Sequence, residues 1–293
     1  MIETPAYLYW TTEIPAIDDG ALFHFTSFDS FIKIMETMTL RSSPLSRMND
    51  LNEACLAFVD WSENLPFLIK AETHIKDGCS AISFTKNYMT DGGCQEGSNH
   101  PAMWAHYGDN SNGVCIVLDQ ESLIENNKEL LSDYFYKLED IIYHIDCSPD
   151  ESIANAEYTS LSEFVSKNYK ELFFKKHLDW AYERETRFFV ETSSLCLNIK
   201  GAIKYIVLGG RMSKSEEKLD RIIEMMLAPE SSGFQYLDLH SFAQMLPAGN
   251  GYLTVAASDI IFRKISKMAS TSIGAKSYLD GCYNNGKISV RKL

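Results

Sequence analysis

Two acids and an arginine stand at alternate positions in Trp180-Ala181-Tyr182-Glu183-Arg184-Glu185-Thr186-Arg187, just before the apolar run Phe188-Phe189-Val190. A strand sends residues i, i+2 and i+4 to one face, so the spacing predicts Glu183, Glu185 and Arg187 side by side. Two carboxylates sharing a face repel unless a cation, a bound sugar or a metal offsets them. Such a pair suits proton transfer, or stabilisation of a sugar-derived cation. The competing reading is an exposed edge strand with a solvated Glu–Arg pair, worth little.

Other residues able to do chemistry are scattered. His24 alternates with Phe23 and Phe25 and so points away from their face. It could bond a ribose or phosphate at a strand end, or simply cap the following helix. Trp104, His106 and Tyr107 form an aromatic group with a polar edge, suited to stacking a base or nicotinamide or to packing an amphipathic turn. Asn49-Asp50 reads as an Asx turn or a loop held over a ligand, and Gly209-Gly210 could precede an anion-binding helix N-terminus. The histidines show no HxxxH or HxH spacing, so no metal site is expected, although His177 with Glu183 and Glu185 could in principle hold a cation. No GxSxG elbow supports a serine triad.

The elements that must position these residues alternate irregularly. A strand at 21–25 leads into a helix near Ser27, with Phe28, Phe31, Ile32, Met35 and Met38 at helical spacing. Residues 52–76 read as one or two helices, and 80–85 as a short strand. Residues 114–118 and 138–145 read as strands that could be antiparallel neighbours around the acidic helix 120–133. A helix over 152–176 then precedes the strand 183–190. Residues 203–208 form a buried strand, followed by a helix opened by the capping box Ser213-x-x-Glu216, and 234–239 add another strand. This order, without a regular βαβ beat, predicts an α+β fold with a mixed, largely antiparallel sheet and flanking helices. One domain over 1–293 is expected, with a C-terminal extension from 231.

The chain of 293 residues is 45% hydrophobic, enough to bury a substantial core. Its net charge of −13 argues against indiscriminate nucleic-acid binding. Residues 259–293 run the other way, with seven Lys/Arg against two Asp, a basic tail that could meet an acidic partner or lie in solvent. Seven scattered cysteines without a CxxC pair suggest neither a zinc ribbon nor a disulfide framework, and Cys115 and Cys196 read as small buried hydrophobes. Without a signal-like start or a long apolar run, a reducing cytoplasm and no membrane partner are expected.

Seven blocks in order carry a resemblance. They are His24-Phe25-Thr26-Ser27; Thr39-Leu40-Arg41-Ser42-Ser43-Pro44 with Asn49-Asp50; Ile82-Ser83-Phe84-Thr85; Met103-Trp104-Ala105-His106-Tyr107; Gly113-Val114-Cys115-Ile116; Trp180-x-Tyr182-Glu183-x-Glu185-x-Arg187; and Ile206-Val207-Leu208-Gly209. Over roughly 20–230 the chain resembles the bacterial domain-of-unknown-function family 2971, a name that carries no activity.

More distantly it resembles the ADP-ribosyltransferase superfamily, above all the DNA-modifying, toxin-type members. That resemblance implies a transferase-like core that takes NAD as substrate and modifies a macromolecule, protein or nucleic acid, in a setting such as anti-phage defence. By position, His24, with Thr26 beside it, would hold the adenosine-side ribose. Ser83 or Tyr107, with Trp104 and His106 nearby, would flank the nicotinamide. Glu185 would bind the nicotinamide ribose and steady the cation left as the glycosidic bond breaks. Glu183 would orient the acceptor or take its proton, and Arg187 would keep Glu185 ionised. In place of the Ser-Thr-Ser element of one transferase branch stands Ser83-Phe84-Thr85. The alternatives are a nucleotide sensor without turnover, or a metal-dependent nuclease or hydrolase built on Glu183 and Glu185.

Overall fold

A computed structural model describes residues 20–50, 56, 65–90, 93–145, 151–227, 241–248, 251–257, 261 and 264–265. The strands are β1 (Ala21–Thr26), β2 (Thr39–Arg41), β3 (Ser43–Pro44), β4 (Ser80–Thr85), β5 (Tyr88–Thr90), β6 (Gly93–Gln95), β7 (Val114–Asp119), β8 (Tyr136–Asp140), β9 (Ile142–His144), β10 (Lys175–His177), β11 (Glu185–Val190), β12 (Cys196–Asn198), β13 (Ile203–Leu208), β14 (Phe242–Ala248) and β15 (Gly251–Ala256). The helices are α1 (Phe28–Thr37), α2 (Leu65–Gly78), α3 (Pro101–His106), α4 (Gln120–Glu125), α5 (Lys128–Leu131), α6 (Glu151–Asn155), α7 (Leu161–Phe173) and α8 (Glu216–Leu227).

The main sheet runs β15-β14-β13-β7-β1-β4-β11-β8, with β3 also on β4. Among the described residues only β13 and β14 pair in parallel within it. The fold is therefore α+β with a largely antiparallel sheet. Its strands are apolar nearly throughout because both faces are covered. One face, through Leu22, Ile82, Phe84, Ile116, Phe188 and Ile206, packs on Phe31 and Met35 of α1 and on Ile222 and Ile223 of α8. The other face is divided. Ala81 and Phe189 join Leu68 of α2 and Phe164 of α7, whereas Phe23, Phe25 and Val117 join Met103 and Trp104 of α3.

A fork in the ladder lies at that division. β1 runs alongside β7 over all six of its residues but meets β4 only at Phe23↔Thr85. At the other end of β4 the short β3 takes over, pairing Ser43↔Ala81 and Pro44↔Ser80. Among the described residues no strand ladder covers the edge of β4 between these two partners. On its opposite edge β4 pairs continuously with β11, from Glu185↔Thr85 to Val190↔Ser80.

Several local expectations are corrected. β7 lies between β1 and β13, and β8 sits at the far edge beside β11, so the two are not neighbours. The expected helix over 152–176 divides into α6 and α7, and the chain then turns into β10, which pairs in parallel with β9. Helix α8 opens after Ser215, whose hydroxyl accepts from the Lys218 amide at 3.4 Å; Ser213 lies one turn earlier in a 3-10 segment. Cys196 is exposed because Leu197, its neighbour in β12, takes the inward position. Strand β14 with β15 extends the sheet, while the expected strand 234–239 and most of the basic tail lie outside the described residues. No helix among the described residues is long and apolar enough to cross a membrane.

Candidate functional site

The pocket opens at the fork, on the divided face, and measures about 230 Å³. Phe25, Met103 and Met48 give it apolar walls, and Glu183, Glu185, Lys176 and Arg187 lie at its floor. Arg41, Arg47, Asn49, His24, Ser83 and Tyr107 complete the lining.

Glu185 and Arg187 do share one face of β11, as their i, i+2 spacing predicts. Arg187 Nε donates to Glu185 Oε1 at 2.7 Å and Nη2 to Oε2 at 2.9 Å, and Nη1 reaches the Phe173 carbonyl at 2.8 Å. Ser83, opposite Arg187 in the register, donates its hydroxyl to Glu185 Oε1 at 2.7 Å. Lys176 Nζ completes the set at 3.3 Å from Oε2. Four donors therefore converge on a carboxylate that has about four acceptor positions. Burial would raise the Glu185 pKa, but Arg187, Lys176 and Ser83 reverse that and bring it down to about 2.

Glu183 reaches the same floor by another route than the strand predicted. It ends a 3-10 turn (Leu178–Glu183), and Arg184 follows in the left-handed region at φ 49°, so β11 begins only at Glu185. Lys176 Nζ donates to Glu183 Oε2 at 2.6 Å, and the Tyr107 hydroxyl donates to Oε1. Burial, then the bond to Glu183, pushes the Tyr107 pKa well up. Lys176 thus supplies the cation that two adjacent acids require. The expected helix over 152–176 hid it, because its geometry depends on β10.

His24 stands in the fork itself. Its ring packs edge-on to Phe84, and Nδ1 lies 3.1 Å from the Ser83 carbonyl, on the stretch of β4 that lacks a strand partner. A carbonyl only accepts, so Nδ1 carries the proton and Nε2 keeps its lone pair. Burial lowers the His24 pKa despite that bond, which favours the neutral ring. Capping of α1 falls to Ser27, whose hydroxyl accepts from the Ser30 amide at 3.3 Å.

The structure brings His24, Ser83, Tyr107, Glu183, Glu185 and Arg187 together. Trp104 is buried instead in the α3 cluster, edge-on to Phe25, with its indole N–H given to the Ser98 carbonyl at 2.6 Å. Thr26 is buried at the end of β1, where its carbonyl lies 2.1 Å from an ideal Cβ on Gly113. His106 is exposed beside Tyr107 and Tyr182. Asn49 donates to the Tyr107 hydroxyl at 3.4 Å. Gly209 serves close packing: its amide bonds the Gly113 carbonyl, and α8 begins later, with Glu216 and Glu217 in its first turn. His177 accepts from the Asp179 amide and caps the 3-10 turn.

Sequence reading also missed Arg41 and Arg47. Both line the pocket, both are exposed, and neither is ion-paired among the described residues. Four cationic side chains thus face two carboxylates, an excess of two positive charges in a chain of net −13. A divalent cation at Glu183 and Glu185 would have to displace Lys176. Among the described residues no group of three or more His, Cys, Asp or Glu side chains is placed to hold a metal ion.

The fold and the pocket define an α+β protein with a cationic cleft floored by neutralised acids. Residues 103–188 match the family described as "Protein of unknown function (DUF2971)". The matched segment is narrower than the 20–230 expected from the sequence blocks, yet it supplies Tyr107, Lys176, Glu183, Glu185 and Arg187. No curated protein and no solved structure matches the chain.

Proposed function

We propose that the pocket binds a phosphorylated nucleoside, NAD or a ligand of its class, through its phosphate. The observation that carries this reading is the pair Arg41 and Arg47, without an ion pair among the described residues, over a floor where Lys176 and Arg187 already neutralise the acids. Guanidinium groups match phosphate with two parallel donors. His24 Nε2 and the Asn49 amide add neutral hydrogen-bonding groups suited to a ribose. At about 230 Å³ the pocket lies just below the usual range of about 300–1,000 Å³ for ligand sites, so it would take part of a dinucleotide and leave the remainder over the rim. Isothermal titration with NAD tests the reading. Arg47→Ala should weaken binding about tenfold, and Arg41→Ala with Arg47→Ala about a hundredfold, as expected for one charge-assisted contact each. Saturable NAD binding indifferent to both substitutions would sink it.

A second reading, NAD cleavage with transfer of ADP-ribose to a macromolecule, is favoured by one observation. Glu185 is held ionised beside Ser83 of the pocket lining, where a carboxylate could steady an oxocarbenium-like centre. Its four occupied acceptor positions weigh against it, since a ribose hydroxyl would have to displace Ser83 or Lys176. Nicotinamide release in the presence of chelator, lost in Glu185→Gln, would support cleavage. Saturable binding without release would leave the pocket as a sensor.

A further inference from the structure

Beyond Tyr107 the pocket rim continues as a row of rings. Tyr107 and His106 lie 6.2 Å apart between centroids, His106 and Tyr182 5.8 Å, and Tyr182 and Trp180 6.2 Å. The last two pairs are tilted by only 38° and 35°. Lys176 Nζ, from the pocket floor, sits 4.8 Å from the Trp180 centroid, so the row begins and ends on pocket residues. Two separate elements build it, the end of α3 and the 3-10 turn before β11.

Core packing does not explain this row. His106 is exposed, and Trp180 and Tyr182 are half-buried, whereas Trp104 on the same α3 is fully buried with its N–H satisfied. Large rings left partly in water forgo much of their burial energy. Their common property is a partly exposed ring next to pocket residues, with one face of Trp180 already taken by Lys176.

We infer that Trp180, Tyr182 and His106 form the seat for the nucleobase of the nucleotide whose phosphate Arg41 and Arg47 hold. The inference rests on the phosphate reading of the pocket and adds to it the part of the ligand that the pocket itself cannot enclose. A base offers a flat, uncharged, polarisable surface, and stacking on aromatic side chains tolerates any base. Selectivity should therefore be weak, with purines ahead of pyrimidines through stacking area. Together the rim and the pocket would recognise a nucleoside phosphate and discriminate against a bare sugar phosphate.

Isothermal titration with AMP and ribose 5-phosphate separates the two parts. Wild-type protein should bind AMP at least tenfold more tightly than ribose 5-phosphate, the scale of one base–aromatic stack. Tyr182→Leu and Trp180→Leu should each cost AMP about five- to tenfold and leave ribose 5-phosphate unchanged, while Trp180→Phe keeps AMP affinity. His106→Ala, at an exposed position, should lower AMP affinity without affecting folding. Equal affinity for the two ligands in wild type would overturn the base seat and leave the phosphate reading standing. Equal losses for both ligands in the leucine variants would mark the rings as structural and also overturn it. Failure of both ligands to bind wild type would bring down the pocket reading, and this inference with it.

Discussion

Glu185→Gln halves the acceptor capacity on which four donors depend, turns an NH2 donor towards them, and leaves Arg187 without its counterion. Breaking such a buried set costs about 3–5 kcal/mol. Urea unfolding of Glu185→Gln should show a loss of that size, so any assay of this variant needs its folded fraction measured alongside. Glu185 also gives the protein an acid limit. Its pKa is depressed on folding, so its contribution is complete above the range of an unfolded carboxylate, about 4.3, and is lost as pH falls towards about 2. His24 and His100 act at higher pH. Burial lowers both pKa values, and each imidazole must take up a proton in a folded site that disfavours it as pH drops below about 6.5. The urea midpoint should therefore decline from pH 7 to 5, and His24→Ala should flatten that decline while costing about 1 kcal/mol at pH 7, the net worth of its bond to the Ser83 carbonyl.

Whether each element was legible in the sequence depended on how local its cause was. Helix α1 could be read because Phe28, Phe31 and Met35 recur at helical spacing behind the Ser27 cap. β1, β4, β7 and β13 were equally clear as short apolar runs. The 3-10 turn at Leu178–Glu183 was not, since alternation in Glu183-x-Glu185-x-Arg187 imitates a strand and a left-handed Arg184 leaves no sequence mark. The pairing of β10 with β9 and the arrival of Lys176 between the acids are tertiary facts with no local signal. For the same reason Trp104 and His106, two residues apart, end in opposite environments, one in the core and one on the rim. Gly113 shows how tightly β1 and β7 are set: a Cβ there would stand 2.1 Å from the Thr26 carbonyl oxygen. Gly113→Ala should destabilise the protein by more than about 2 kcal/mol, visible as a lower melting temperature in a thermal scan.

At the scale of the molecule, the fork divides the main sheet into two panels, β15-β14-β13-β7-β1 and β4-β11-β8. On the pocket side they are joined by the bridge Phe23↔Thr85 and the bond from His24 to Ser83. On the opposite side a continuous core spans both, with Leu22, Ile116 and Ile206 from one panel and Ile82 and Phe188 from the other. This is the construction of a bound book, with a spine on one face and a free opening on the other. Small changes of angle between the panels would widen or narrow the cleft without unmaking either ladder. Hydrogen exchange should resolve two units, with peptides covering Ala21–Thr26 and Val114–Asp119 exchanging together and those covering Ser80–Thr85 and Glu185–Val190 on a separate, faster schedule. A ligand held between His24 of β1 on one side and the floor of β11 on the other would clasp the covers and draw the two schedules together.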